Sequence, residues 1–136
     1  MDGDGRLDIV VGDQKAGLFF YRNTGRNVGE RGFADPTPFG DPKRSPYSIA
    51  IADLDKDGHL DLVIGNDEAL GSIFFGTADR GTGGQPRFRA MDWNDGKGAV
   101  YGVALGDLNG DGWLDIVAAR SDAPNGIWWN DADRKR

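Results

Sequence analysis

Apolar positions in this chain fall in short runs rich in β-branched and aromatic residues, each closed off by Gly, Asn, Asp or Pro. Leu7-Asp8-Ile9-Val10-Val11-Gly12, Leu60-Asp61-Leu62-Val63-Ile64-Gly65 and Leu114-Asp115-Ile116-Val117-Ala118-Ala119 are the clearest. Runs this short, apolar at consecutive positions, predict strands covered on both faces rather than helices. A related run precedes two of them, at 47–52 and 101–106, and an aromatic run follows all three, at 18–21, 73–75 and 127–129. A fourth, weaker run is Phe33 with its neighbours in the first unit and 87–91 in the second. With the strands of a unit lettered A to D, the chain supplies BCD, then ABCD, then ABC. Polar, Gly- and Pro-rich connections are expected at 23–32, 35–46 and 77–86.

The runs repeat in register. Asp8, Asp61 and Asp115 head equivalent strands 53 and 54 residues apart, a spacing near that of the longer propeller blades. The predicted class is all-β: a β-propeller of four-stranded blades, about two and a half to three per chain, in a single domain with units at 1–46, 47–100 and 101–136. Closed rings usually hold about 4 to 8 blades. This chain is therefore expected to close a ring with a second copy, as a homodimer of five blades by strand count or six by loop count, with a lean to six.

Composition narrows the partners. Net charge is −6, which argues against a nucleic-acid surface, since phosphate binding needs clustered Lys and Arg. Cysteine is absent, so thiol catalysis, disulfides and cysteine zinc sites are excluded. Twenty-two glycines leave little room for regular helix. No apolar run approaches the roughly 18 residues of a membrane span. Met1-Asp2-Gly3 does not open a signal peptide, and the start reads as a cut inside a loop. The charged tail Asp131-Ala132-Asp133-Arg134-Lys135-Arg136 is expected to fray.

The acidic excess has a local reason. Asp53-Leu54-Asp55-Lys56-Asp57-Gly58-His59-Leu60-Asp61 places side-chain oxygens at its first, third, fifth and ninth positions, where they can converge on one hard cation. The frame returns as Asp107-Leu108-Asn109-Gly110-Asp111-Gly112-Trp113-Leu114-Asp115, and without its first position as Asp2-Gly3-Asp4-Gly5-Arg6-Leu7-Asp8. An all-oxygen donor set disfavours zinc and copper, and a flexible loop suits calcium better than magnesium. An EF-hand would place Glu at the twelfth position, where Ile64 and Ala118 stand, and strand follows.

The loops, the period and the segment Phe19-Phe20-Tyr21-Arg22-Asn23-Thr24-Gly25 together resemble the FG-GAP/VCBS repeat family, which includes the propeller of integrin alpha subunits. The resemblance implies calcium on the side chains of Asp53, Asp55, Asp57 and Asp61 with the carbonyl of His59. It implies a second site on Asp107, Asn109, Asp111 and Asp115 with the carbonyl of Trp113. A third, incomplete site would use Asp2, Asp4 and Asp8 with the carbonyl of Arg6, and is expected to be weak or empty. The Gly-Ala-Pro half of the integrin signature is absent, so no integrin-type partner is inferred. A filled coordination shell leaves no position for substrate, so the metal is expected to pin strand A to strand B rather than to catalyse.

No catalytic residue is assigned. His59, the single histidine, is expected to face solvent, and a nucleophile-base triad lacks material. Glu30, Asp67, Glu68 and Asp92 are available for glycoside hydrolysis, but no spacing selects a pair. The in-register aromatics are expected to pack between blades. Trp93, out of register between Asp92 and Asn94, suits a sugar face flanked by polar groups, with burial at a seam as the competing outcome. The expected function is non-catalytic glycan or protein binding, or adhesion, in an extracellular or periplasmic setting. The rivals are an accessory part of a secreted polysaccharide-active enzyme and a structural self-assembling fragment.

Overall fold

A computed structural model of the chain describes residues 1–26, 32–67 and 69–131. Ten strands among them form three antiparallel sheets. The first sheet orders β1 (Ile9–Asp13), β2 (Gly17–Tyr21) and β3 (Thr37–Phe39) side by side. The second orders β4 (Pro46–Ala52), β5 (Asp61–Asn66), β6 (Ser72–Arg80) and β7 (Pro86–Asp92). The third holds β8 (Ala99–Gly106), β9 (Asp115–Ser121) and β10 (Gly126–Trp128), with β9 central. The expected series BCD, ABCD, ABC is the series observed.

Strand alternation explains why the central sheet reads as a continuous apolar run. Successive side chains of a strand point to opposite faces. Leu62 and Ile64 of β5, with Phe74 of β6, join Leu18 and Val10 of the first sheet in one core. Val63 of β5, with Ile73 and Phe75 of β6, joins Ile116, Val103 and Trp128 of the third sheet in a second core. Leu62, Val63 and Ile64 are almost wholly enclosed. Each such side chain contributes about 1.5–3 kcal/mol relative to exposure. The sheets therefore stack face to face in chain order, the second between the other two.

Three expectations need correction. The D strand of the first unit, β3, is Thr37–Phe39, not the surroundings of Phe33, which makes only an isolated bridge to Asn23. Pro38 lacks an N–H and so suits the edge strand it occupies, although it weakens the sequence signal for a strand. The expected connections 35–46 and 77–86 are partly structured: the first contains β3, and in the second β6 runs on to Arg80 before a 3-10 turn at Thr82–Gly84. Coverage on both faces holds for β5 but not for β1, where Ile9 and Val11, with Leu7 just before them, are exposed because no sheet of the described residues lies beyond them in the stack. The connection 23–32 and the charged tail fall largely outside the described residues, as do Glu30 and Glu68.

Candidate metal centre

The three acidic loops share one backbone design. Their fourth and sixth positions are all left-handed: Gly3 and Gly5, Lys56 and Gly58, Gly110 and Gly112 have φ between 58° and 86°. Glycine adopts this region freely, whereas Lys56 holds it under steric cost. The turn lets loop amides reach back to the first aspartate. Asp57 and Gly58 N–H donate to Asp53 at 3.1 and 3.0 Å, while Asp111 and Gly112 N–H donate to Asp107 at 3.1 and 2.9 Å.

The ninth aspartate does something the sequence reading did not foresee. Asp61 accepts from the Leu54 N–H at 2.7 Å and the Gly76 N–H at 2.8 Å. Asp115 accepts from Leu108 at 3.0 Å and Asn130 at 2.9 Å. Asp8 accepts from the Met1 nitrogen at 2.9 Å and from the Asn23 N–H at 2.9 Å. In every repeat a buried carboxylate at the head of a strand ties the second loop position to the residue fifteen on, within or just past the next strand. Asp61 and Asp115 are fully enclosed. The available signal was an aspartate recurring inside an otherwise apolar run. Asn130 adds a link between sheets, its amide donating to the Leu54 carbonyl at 3.0 Å.

In the middle loop the acidic side chains also converge. Oxygens of Asp53, Asp55 and Asp61 lie within 4.8 Å of one another, the one such acidic group among the described residues. Oδ1 of Asp55 is buried there without a hydrogen-bond partner. A buried carboxylate oxygen facing two other carboxylates is costly unless a cation completes it. The donor set is all oxygen, so these residues fit a hard divalent ion. Asp57 is exposed and turned to the His59 N–H at 2.8 Å, outside that group. His59 is half-buried.

The outer loops differ in charge rather than backbone. In the third, the Asn109 amide donates to Asp111 at 2.9 Å and the Trp113 N–H at 2.8 Å. The Trp113 N–H and Asn109 amide, with the Lys56 ammonium nearby, hold the Asp111 carboxyl below the usual range. Lys56 also lies over the Trp113 ring at 4.3 Å, joining the two loops. In the first loop the Arg6 guanidinium binds the Asp4 carboxylate, and the Asp4 N–H donates to Asp2 at 3.1 Å. Burial raises Asp8, but the Met1 nitrogen and the Asn23 and Asp2 N–H groups outweigh it and leave its carboxyl below the usual value.

Burial pushes Asp61 up to about 6, against the Leu54 and Gly76 donors, with the Asp55 and Asp57 charges adding to the rise. A carboxyl raised on folding binds its proton more tightly in the folded chain. Its contribution is therefore fully present below about pH 3.8 and is lost as pH rises through about 6. In chelator, the stability of the wild type relative to Asp61→Asn is expected to fall between pH 4 and pH 7, as read by denaturant unfolding. A difference that stays flat across that range contradicts the assignment.

The second predicted site is engaged in structure. The Trp93 indole N–H donates to the Ile64 carbonyl at 3.0 Å, and its ring meets Trp128 edge-on at 4.9 Å. A Cβ on Gly71 would lie 2.2 Å from the Trp93 Nε1, so only glycine admits the ring. Asp92 is held by Arg44 at 2.6 and 3.2 Å. The Asn94 side-chain Oδ1 accepts from the Gly71 and Gly96 N–H groups, while its buried Nδ2 has no partner. Beside them, between the second and third sheets, opens a cleft of about 450 Å³ lined by Phe75, Arg89, Met91, Trp93 and Trp128 among others.

The fold and loops define an all-β repeat protein with an aspartate-rich loop in each unit. Residues 1–64 match the family model of the FG-GAP-like repeat. Neither a curated protein nor a solved structure matches the chain.

Proposed function

We propose that the chain is a calcium-stabilised β-propeller module for non-catalytic binding of a glycan or protein, working outside the cytoplasm and closing its ring with a second copy. The observation that carries the calcium reading is the unpartnered, buried Asp55 oxygen beside Asp53 and Asp61. Calcium there would be held by these three side chains and would lock the loop between β4 and β5. Among the described residues no helix is long and apolar enough to cross a membrane.

Ring closure is supported by the way the sheets already pack. The face of the second sheet bearing Val63, Ile73 and Phe75 packs on the third. The matching residues of the third sheet are Val117, Ile127 and Trp129, and the last two are exposed. At the opposite end, Leu7, Ile9 and Val11 form an exposed counterpart to Leu60, Leu62 and Ile64, of which Leu62 and Ile64 pack against the first sheet. The two free ends are thus complementary, and head-to-tail pairing of two copies repeats an interface the chain already makes. Light scattering on a sizing column is expected to give a dimer in calcium, reduced to monomer by Ile9→Asp. A wild type that stays monomeric in calcium contradicts ring closure.

A further inference from the structure

We propose that the third loop is not a calcium site, because Lys56, reaching across from the middle loop, is its resident cation. The inference rests on the calcium reading of the middle loop and excludes the third loop from it.

The third loop does not fit a divalent ion as the middle one does. Asn109 stands where Asp55 stands, so this loop carries the carboxylates of Asp107, Asp111 and Asp115 and lacks the one at its third position. No three acidic oxygens gather there as those of Asp53, Asp55 and Asp61 do. Both ends of the Asn109 side chain are engaged within the loop: Nδ2 donates to Asp111 at 2.9 Å, and Oδ1 accepts the Asp111 N–H at 3.0 Å. The buried carboxylate oxygen without a partner belongs to Asp55, and the third loop holds none.

A cation already sits beside that loop. The Lys56 ammonium lies 4.3 Å from the centroid of the Trp113 ring, and a Cβ placed on Gly112 would come within 3.4 Å of its Nζ. Its charge acts on the Asp111 carboxylate between them in space. An ammonium held on an aromatic face keeps its charge. A divalent ion brought to Asp111 would meet that charge at close range, where salt screens it little.

The place of Lys56 in the repeat makes the pairing specific. It is the fourth residue of its loop, left-handed at φ 58°, where Gly3 and Gly110 stand in the other two. Glycine would take that turn without steric cost but would leave the third loop without its ammonium. By the same repeat the counterpart of Lys56 toward the middle loop is Gly3, which has no side chain to offer. The bare loop is the one whose acidic oxygens converge.

The test is calorimetric titration of calcium into the metal-free full chain and its variants. Lys56→Met keeps the length of the stem and removes the charge; Lys56→Arg keeps the charge. Lys56→Met is expected to bind one calcium more than the wild type, the additional ion being lost when Asp107→Asn is combined with it. Lys56→Arg, and Asp107→Asn alone, are expected to bind as many ions as the wild type. Melting curves in chelator establish that each variant is folded. The proposal is overturned if Lys56→Met binds no additional ion, or if Asp107→Asn alone removes an ion from the wild type. Failure of the middle-loop reading is a separate result: Asp55→Asn then leaves the wild-type isotherm unchanged, while the ion gained in Lys56→Met and lost with Asp107→Asn still upholds the role of Lys56.

Discussion

Asp61→Ala is expected to lower the unfolding free energy by about 4 kcal/mol, and to do so whether or not calcium is present. The carboxylate is fully enclosed and accepts two backbone donors, the N–H groups of Leu54 and Gly76. Leu54 and Gly76 are themselves buried, so water cannot replace the lost acceptor. Each stranded donor costs about 1–3 kcal/mol. Asp61→Asn keeps one acceptor oxygen and is expected to recover part of the loss. Asp57→Ala is the control: Asp57 is exposed and accepts only the His59 N–H, so its effect is expected below about 1 kcal/mol in chelator. Denaturant unfolding of the three variants in chelator makes the comparison. If the Asp61→Ala loss vanishes without calcium, the residue is a ligand alone and not a staple.

Removing calcium is expected to lower the melting temperature by about 10 °C. A ligand that binds only the folded chain stabilises it by RT ln(1 + [L]/Kd), about 2.7 kcal/mol at a hundredfold excess over Kd. For a chain of this size each kcal/mol moves the midpoint by about 4 °C. The physical source of that energy is the middle loop, where Asp53, Asp55 and Asp61 stand together and one Asp55 oxygen has no partner. Asp55→Asn is therefore expected to show most of the drop in calcium and little further change in chelator. Thermal unfolding with and without chelator reads both. The third loop is expected to contribute less, since the acidic oxygens that converge among the described residues are those of the middle loop, and Lys56 lies close to Asp111.

The repeat, the strand series and the convergence of the middle loop were legible because each leaves a periodic mark. Aspartates at a fixed spacing set the units, and the alternation of Leu62, Val63 and Ile64 between two cores needs apolar residues at every position. What escaped was set by tertiary contact. Thr37–Phe39 is too short, and interrupted by Pro38, to read as a strand, and it forms because the edge of β2 is there to receive it. Asp8, Asp61 and Asp115 read as metal ligands, since nothing local says that their oxygens meet an amide fifteen residues on. The loops look alike in sequence, but Arg6 and Lys56 place cations beside two of them, and those pairings depend on chain folding. Trp93 stood out of register because it caps a seam instead of lying in a strand.

Calorimetric titration of calcium into the metal-free chain, beside Asp55→Asn, tests the central claim most directly. A saturable site in the wild type that is lost or strongly weakened in Asp55→Asn, with magnesium binding far more weakly to both, is the predicted result. Identical isotherms for the two proteins, or no calcium binding to the wild type, would contradict it.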